Sequence, residues 1–273
     1  MHLAAWEYLA AAAAGGVASA VNAVAGGGTL VSFSVLVGIG VPPVTANVTN
    51  TVGLVPAYLA GSWGQRADLR PQLHRARILA ITSLVGGLSG SILLVTIPAS
   101  VFEAVAPFLI LFACALLASE DPLRKRFTRT PERVASGAPG THSEEDSSPE
   151  STPASRWSTL GVVSVFFAAV YGGFFGAGLG IMLMAVLALI SAESLIHVNA
   201  LKQALSFVIN LVAAGFFAIS GHVLWDLVPA MAVAGVFGGL VGSRLARVIK
   251  PVYLRWTVVV AGVIVALVLW ATH

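Results

Sequence analysis

Several residue types are scarce in this chain of 273 residues, and each scarcity excludes a class of protein. There is one cysteine, Cys114, so a disulfide within the chain cannot form and a cysteine-based metal site is excluded. The sequence contains no nucleotide-binding loop, no serine nucleophile elbow and no clustered Cys/His set. We therefore predict that the chain is not an enzyme or an ATP-driven pump, and that it holds no cofactor, catalytic site or metal.

Charged residues are also scarce. They make up 10% of the chain against 57% apolar residues, and the mean hydropathy is +0.90, whereas soluble proteins are about 25% charged. The excess positive charge lies in short loops beside apolar runs, where the positive-inside bias explains it, so we expect no nucleic-acid partner. This composition predicts an all-α polytopic membrane protein that is embedded in the lipid bilayer.

Ten apolar segments fall on either side of one polar stretch, which predicts about 8–10 membrane segments. They cover 3–24, 29–41, 44–62, 78–97 and 101–119, and then 158–175, 179–192, 197–219, 226–246 and 252–271. The stretch between them is rich in Ser, Thr, Pro, Gly and charge, a composition that cannot bury enough apolar surface to order itself. We therefore divide the chain into a first transmembrane repeat (1–119), a flexible cytoplasmic linker (120–157) and a second transmembrane repeat (158–273).

The two repeats share motifs at a constant spacing. The run Ser83–Ser91 resembles Gly235–Ser243, and 152 residues separate Gly86 from Gly238. The same offset relates three further pairs: Gly26 with Gly178, Gly28 with Gly180, and Asn47 with Asn199. One shift that aligns separated motifs indicates an internal repeat.

Equivalent loops of the two repeats carry different charges. The loop 65–77 contains four arginines and its counterpart 220–226 contains no Lys or Arg, whereas the uncharged turn 98–100 corresponds to the basic segment 244–255. Basic loops face the cytoplasm, so the repeats have opposite orientations, an inverted topology common in secondary transporters. Both termini then lie outside. Five crossings per repeat fit this topology, and so do three crossings plus a re-entrant hairpin at each glycine cluster.

Two glycine clusters interrupt apolar stretches at corresponding positions of the repeats. The first is Gly26, Gly27 and Gly28, followed by Thr29, and the second contains Gly176, Gly178 and Gly180. A helix that breaks and restarts inside the membrane presents free N–H groups and a positive dipole end, which favour an anion. Glycines also allow helices to pack closely, but a symmetric pair of breaks favours an anion-binding site.

Polar side chains form stripes on two apolar segments. Asn47 and Asn50 are three residues apart and share a helix face. The stripe of the second repeat consists of Asn199, Lys202, Gln203, Ser206 and Asn210. Such stripes face the bundle interior or a cavity, and we predict that Asn47, Asn50, Asn199, Lys202 and Gln203 contact the substrate. Hydrogen bonds between helices are the alternative explanation for the asparagines.

Lys202 is the only basic residue well inside a predicted span. A charge at that depth is costly unless it faces water, a substrate or a carboxylate. If the helix instead starts near Asn199, the lysine could extend its ammonium group to the membrane interface. Just before this stripe, His197 and Glu193 could carry a proton in a coupled cycle, or they could cap the helix at its solvated end.

The pattern resembles the sulfite exporter TauE/SafE family over nearly the whole chain except the linker. In the first repeat the resemblance rests on Gly26–Gly28 followed by Pro42 and Ala46-Asn47, and in the second on Tyr171–Gly180 followed by Asn199–Lys202. It implies a bacterial inner-membrane protein that moves sulfite or an organosulfonate such as sulfoacetate, usually outward. The first repeat departs from the family pattern at Asn47–Thr51, which bears on the identity of the substrate.

The leading hypothesis is a secondary transporter of a small oxyanion, with the site between the two repeats and alternating access by rocking. The coupling ion could be H⁺, and the Gly/Ala faces could pack within the chain or in a homodimer. A passive anion channel that uses the same pore is one alternative. A membrane-embedded sensor or scaffold that acts through the linker 120–157 is another.

Overall fold

The chain is described from a computed structural model, which covers residues 4–24, 26–119, 159–191, 194–245 and 251–271. Over these ranges it forms helices and no strand. The predicted linker 120–157 lies outside the described residues. The helical content and the apolar helices confirm the predicted all-α membrane protein.

Each half contributes a similar series of helices. The first half contains α1 (Ala5–Val24), α2 (Thr29–Gly38), α3 (Pro43–Gly64), α4 (Arg66–Leu69), α5 (Leu73–Thr96) and α6 (Ala99–Ala118). The second half contains α7 (Thr159–Phe174), α8 (Leu179–Ile190), α9 (Leu195–Ala218), α10 (Val228–Leu245) and α11 (Pro251–Ala271). A 3-10 turn, Arg70–Gln72, joins α4 to α5. Under the 152-residue offset, α1, α2, α3, α5 and α6 correspond to α7 through α11.

The helix starts follow from local chemistry. Pro43 stands in the first turn of α3 and Pro98 directly precedes α6, and proline suits these positions because its fixed φ matches a helix start. Gly40 has a φ of +87°, which gives the chain a sharp turn between α2 and α3. The turn sends α3 back along α2, so the polar face of α3 can reach the start of α2.

Three helical stretches of the described chain are long and apolar enough to cross a membrane: Arg66–Thr96, Ala99–Ala118 and Ile196–Ala218. In contrast, α2 has 10 residues and α8 has 12. At 1.5 Å per residue these helices cover about 15–18 Å, roughly half of a hydrocarbon core about 30 Å thick. Neither α2 nor α8 can therefore cross the membrane by itself.

Apolar side chains cover the outside of the helix bundle and polar ones lie within it. Among the large exposed residues are Leu9, Ile81, Phe167, Leu189 and Phe237. The buried polar residues include Asn22, Asn47, Asn50, Lys202, Gln203 and Asn210. This distribution matches lipid outside and a polar site inside, because intramembrane polar groups face the bundle interior.

The two halves interlock through equivalent helices that run antiparallel. The Ser62 hydroxyl, near the end of α3, donates to the Gln203 carbonyl in the first half of α9 (3.0 Å). The Leu224 N–H, just after α9, donates to the Thr49 hydroxyl near the start of α3 (3.0 Å). An inverted-topology repeat requires this antiparallel arrangement. Which loops face the cytoplasm stays a prediction.

The shared glycine motif of α5 and α10 lies where helices from opposite halves meet. A Cβ on Gly238 of α10 would collide with the Gly16 carbonyl of α1, and a Cβ on Gly173 of α7 would collide with the Gly87 carbonyl of α5. Small residues let backbones approach this closely. The α1–α10 and α5–α7 contacts are equivalent under the offset, which explains why both repeats carry the motif.

Candidate anion site

The two glycine clusters meet at the contact between the halves. Four of their residues have a positive φ: Gly26 (88°), Gly27 (77°), Gly176 (75°) and Gly178 (78°). A Cβ on Gly180 would lie 3.3 Å from the Gly26 Cα, so the turn before α2 touches the start of α8. We call this contact, formed by residues 26–29 and 176–180, the glycine junction.

Two helices begin at the glycine junction. The N-cap of α2 is Gly28 and that of α8 is Gly178, and neither start has a side-chain cap. A helix start normally satisfies some of its free N–H groups with a Ser, Thr, Asp or Asn side chain. Both starts therefore direct partial positive charge toward the junction, and because glycine has no Cβ, their backbones are open to close approach by a ligand.

Side chains of α2 and α3 hold the junction together with hydrogen bonds to backbone carbonyls of both halves. The Thr29 hydroxyl donates to the Gly176 carbonyl (3.3 Å). The Asn50 amide donates to the Thr29 carbonyl (3.2 Å), and the Asn47 amide donates to the Phe174 carbonyl (2.9 Å). All three donors are buried. The sequence predicted that these residues share a site, and the structure brings them together.

One acceptor at the junction has no partner within the described chain. The Asn50 Oδ1 atom is buried and accepts no hydrogen bond from any described residue. A buried carbonyl oxygen of this kind is normally satisfied by ordered water or by a ligand. Asn50 therefore holds the backbone of α2 with its amide N–H and keeps an acceptor for ordered water or a ligand.

Lys202 lies beside the junction and is 2% exposed. The distance from its Cδ to a Cβ placed on Gly180 is 3.9 Å, so the lysine stem passes along the start of α8. The helix α9 begins at Leu195 rather than near Asn199. The burial argues against an ammonium group that reaches the membrane interface, because that arrangement requires contact with water.

Gln203 and Asn199 connect α9 to the end of α3. The Gln203 amide packs against Gly61, where a Cβ would collide with it. Asn199 is half-buried, and its amide donates to the Gln65 carboxamide oxygen (2.9 Å) just after α3. The hydrogen bond and the packing stabilise the α3–α9 contact, and a substrate contact for either residue stays a prediction.

Ser194 caps the start of α9. Its hydroxyl accepts from the His197 N–H (3.5 Å) and lies 3.1 Å from the His197 Nδ1 atom, and the Gln72 amide donates to the His197 carbonyl (2.7 Å). Glu193 lies outside the described residues. A role for either residue in carrying a proton stays a prediction.

Comparisons with known proteins agree with this architecture. The family model described as "Sulfite exporter TauE/SafE" matches residues 11–269. The chain belongs to the TauE/SafE family. It is 27% identical over 269 residues to "Probable membrane transporter protein ORF9" of a Sinorhizobium species, covering 95% of this chain and 91% of the relative. It is 25% identical over 246 residues to a "Probable membrane transporter protein" of Haemophilus influenzae, covering 90% and 88%. No solved structure matches it significantly.

Membership in TauE/SafE confirms that the chain is a membrane transporter. It also confirms the resemblance that the glycine and asparagine motifs indicated. The breaks in the helices therefore belong to a transporter that spans the membrane several times, where irregular backbone is tolerated only within protein or beside water.

Two further residues of this TauE/SafE protein hold the breaks in place. The Gly28 N–H donates to the Asn22 Oδ1 atom (2.7 Å), while the Asn22 amide donates to the Tyr58 hydroxyl (3.2 Å). In the second half, the Tyr171 hydroxyl donates to the Ala177 carbonyl (2.6 Å). Asn22 was visible in the sequence as an asparagine within an apolar run, but its partner depends on how the chain folds back after α1.

Replacing Asn22 with leucine should lower the thermal stability of the purified protein in detergent. The substitution removes both hydrogen bonds and leaves the Gly28 N–H buried without an acceptor, at a cost of about 1–3 kcal/mol for an unsatisfied group. Ser89→Ala is the control, because the Ser89 hydroxyl is exposed and bonds only within its own helix. Equal melting temperatures for the two variants would refute the role assigned to Asn22.

Proposed function

We propose that this TauE/SafE protein is a secondary transporter that exports a small oxyanion, either sulfite or an organosulfonate such as sulfoacetate. The observation that carries the proposal is the meeting of two helix starts that have glycine at the N-cap, one from each half, beside the buried Lys202. Each helix start favours negative charge, and the lysine supplies a full positive charge. Three sources of positive potential around one point suit an anion better than a neutral or cationic solute.

The hydrogen-bonding groups favour an oxyanion over a halide. Sulfite and sulfonate have three oxygen atoms, and these can accept from Lys202 and from backbone N–H groups in the first turns of α2 and α8 at the same time. The free Asn50 Oδ1 atom is an acceptor, which suits an anion that carries a proton, such as hydrogen sulfite. Gly26, Gly27, Gly176 and Gly178 contribute by allowing close approach of the backbone.

Alternating access follows from the position of the site between the halves. Two hydrogen bonds join the halves at the junction, one from Thr29 to Gly176 and one from Asn47 to Phe174. Rocking of one half against the other would break such bonds and form others on the opposite side. We place the protein in the bacterial inner membrane, with the linker 120–157 in the cytoplasm and both termini in the periplasm. His197 and Glu193 are candidates for coupling transport to protons.

Reconstitution in liposomes tests this proposal. Flux of sulfite, sulfate, thiosulfate and sulfoacetate is measured with and without a proton gradient, against empty liposomes. Saturable flux of sulfite or sulfoacetate that the gradient accelerates is the expected result. Flux that never drives accumulation would indicate a passive channel. Absence of flux of all four anions through folded protein would contradict the proposal and favour the sensor or scaffold, whose function would be lost on deleting 125–155.

A further inference from the structure

One end of the Asn50 side-chain amide is bonded and the other end is not. Its Nδ2 atom donates to the Thr29 carbonyl (3.2 Å), and its Oδ1 atom has no hydrogen-bond partner among the described residues. The Thr29 carbonyl can only accept, so turning the amide over would lose that bond. Asn50 is 4% exposed, and a buried acceptor without a donor is destabilising. The Oδ1 atom therefore requires a donor that the described chain does not supply.

Two other buried side chains of the described residues also lack a partner, and both are serines. They are Ser34 and Ser83, whose hydroxyl groups can act as donor or acceptor and rotate to suit a neighbour. Asn50 differs from them because its amide is held by a bond to Thr29, a residue of the glycine junction. Of the three unbonded atoms, the Asn50 Oδ1 atom is therefore the one that this bond fixes beside the candidate site.

Asn50 is the counterpart of Lys202 under the 152-residue offset. Each of them lies beside the start of the short helix in its own half. Asn50 is bonded to Thr29, the first residue of α2, and the Lys202 stem passes Gly180 in the first turn of α8. These two helix starts touch, because a Cβ on Gly180 would lie 3.3 Å from the Gly26 Cα. The two side chains therefore adjoin the glycine junction from opposite halves.

The two counterparts offer opposite hydrogen-bonding groups. A lysine ammonium group has donors and no acceptor, whereas Asn50 keeps an acceptor after its amide has bonded Thr29. A ligand that satisfies both residues must carry negatively charged oxygen atoms and, in addition, a hydrogen-bond donor. Sulfate, the sulfite dianion and sulfoacetate carry no donor at neutral pH. Hydrogen sulfite carries one in its O–H form, so its hydrogen-bonding groups match both counterparts.

We propose that Asn50 selects, among small oxyanions, those that carry a hydrogen-bond donor, so that the site takes hydrogen sulfite in preference to the sulfite dianion and to sulfoacetate. This inference rests on the proposed binding of a small anion at the junction, and it chooses between the substrates proposed above. An anion without a donor leaves the Asn50 Oδ1 atom buried and unsatisfied. A site built around such a hydrogen bond discriminates strongly against an analogue that lacks it.

Two monoanions of nearly the same shape test this selection. Sulfamate and methanesulfonate each have three oxygen atoms on sulfur, and they differ only in the remaining substituent. Sulfamate has an amino group, which supplies N–H donors, and methanesulfonate has a methyl group, which supplies none. Binding of each anion and of sulfite is measured by isothermal titration on the unmodified chain, on Asn50→Leu and on Asn210→Leu.

We expect the unmodified chain to bind sulfamate at least about tenfold more tightly than methanesulfonate, because only sulfamate can satisfy the Asn50 Oδ1 atom. Asn50→Leu removes this acceptor and should bring the two affinities within about twofold of each other. Asn210→Leu should keep the tenfold preference, because Asn210 is an equally buried asparagine whose amide bonds the Ser206 carbonyl within its own helix. A purely structural role for Asn50 would lower both affinities alike and leave their ratio unchanged.

Equal affinities of the unmodified chain for sulfamate and methanesulfonate would overturn the inference and indicate that ordered water satisfies Asn50. A preference that survives in Asn50→Leu would also overturn it, and so would binding of sulfite without binding of sulfamate. If Asn50→Leu does not fold, the comparison of the two anions on the unmodified chain still decides whether a donor is selected. These outcomes leave the proposed transport of an anion intact, whereas absence of binding by all three anions would count against that proposal as well.

Discussion

Lys202→Gln should reduce anion flux in liposomes by about tenfold or more, because a hydrogen bond to a charged group contributes about 1.5–3 kcal/mol and each 1.4 kcal/mol is tenfold in affinity. Glutamine keeps most of the length and a hydrogen-bond donor but removes the charge beside the junction. The buried position of Lys202 means that water screens this charge little. The effect should therefore persist at high ionic strength.

Ser206→Ala is the matched control for Lys202→Gln. Ser206 is buried on the same helix face, one turn further along α9. Its substitution should leave the flux within about twofold, because it removes no charge from the site and a lost neutral hydrogen bond lowers folding stability rather than anion affinity. Normal flux through Lys202→Gln, with folding shown by a single symmetric elution peak, would remove Lys202 from the site.

Gly28→Ala should have the largest effect on folding among the glycine substitutions in the site. The added Cβ would collide with the Ala18 carbonyl and lie 3.0 Å from the Asn22 nitrogen, and both are backbone atoms of α1 that cannot rotate away. Overpacking in a core costs about 1–3 kcal/mol when side chains can adjust, and here none can. We expect a marked loss of folded protein, measured as the monodisperse fraction after extraction in detergent.

Gly38→Ala controls for the loss of a glycine from the same helix. Gly38 ends α2, and a Cβ there would meet nothing within 4 Å. The yield of folded Gly38→Ala protein should match that of the unmodified chain. If Gly28→Ala folds as well as Gly38→Ala, then α1 and α2 do not pack as closely as described, and the geometry of the junction would be wrong.

Hydrophobic patterning predicted the helices closely because each is a continuous apolar run bounded by glycine, proline or charge. The predicted segment 44–62 became α3 (Pro43–Gly64), and 197–219 became α9 (Leu195–Ala218). The predicted and observed starts differ most for α5, which was predicted to begin at residue 78 and begins at Leu73. Its first five residues include His74, Arg75 and Arg77, which lower the mean hydropathy of the segment without preventing a helix.

Packing within loops and between halves was harder to predict. The loop 65–77 contains the short α4, whose neighbour Gln65 binds Asn199. Asn199 was predicted beside Lys202 because helical spacing places them on one face, but spacing does not say which residue of that face meets which neighbour. Gly28 was grouped with the glycines that turn the chain, yet its φ is −60°. A glycine is required at this position because the backbone of α1 at Ala18 leaves no room for a Cβ.

The central claim is that a small oxyanion binds at the glycine junction beside Lys202, and equilibrium binding tests it most directly. Isothermal titration of sulfite and sulfoacetate is performed on the purified chain, on Lys202→Gln and on Arg77→Gln, an exposed cation of the loop. Binding of one of these anions that Arg77→Gln retains and Lys202→Gln weakens by about tenfold or more is the predicted result. Equal binding by all three proteins would contradict the claim.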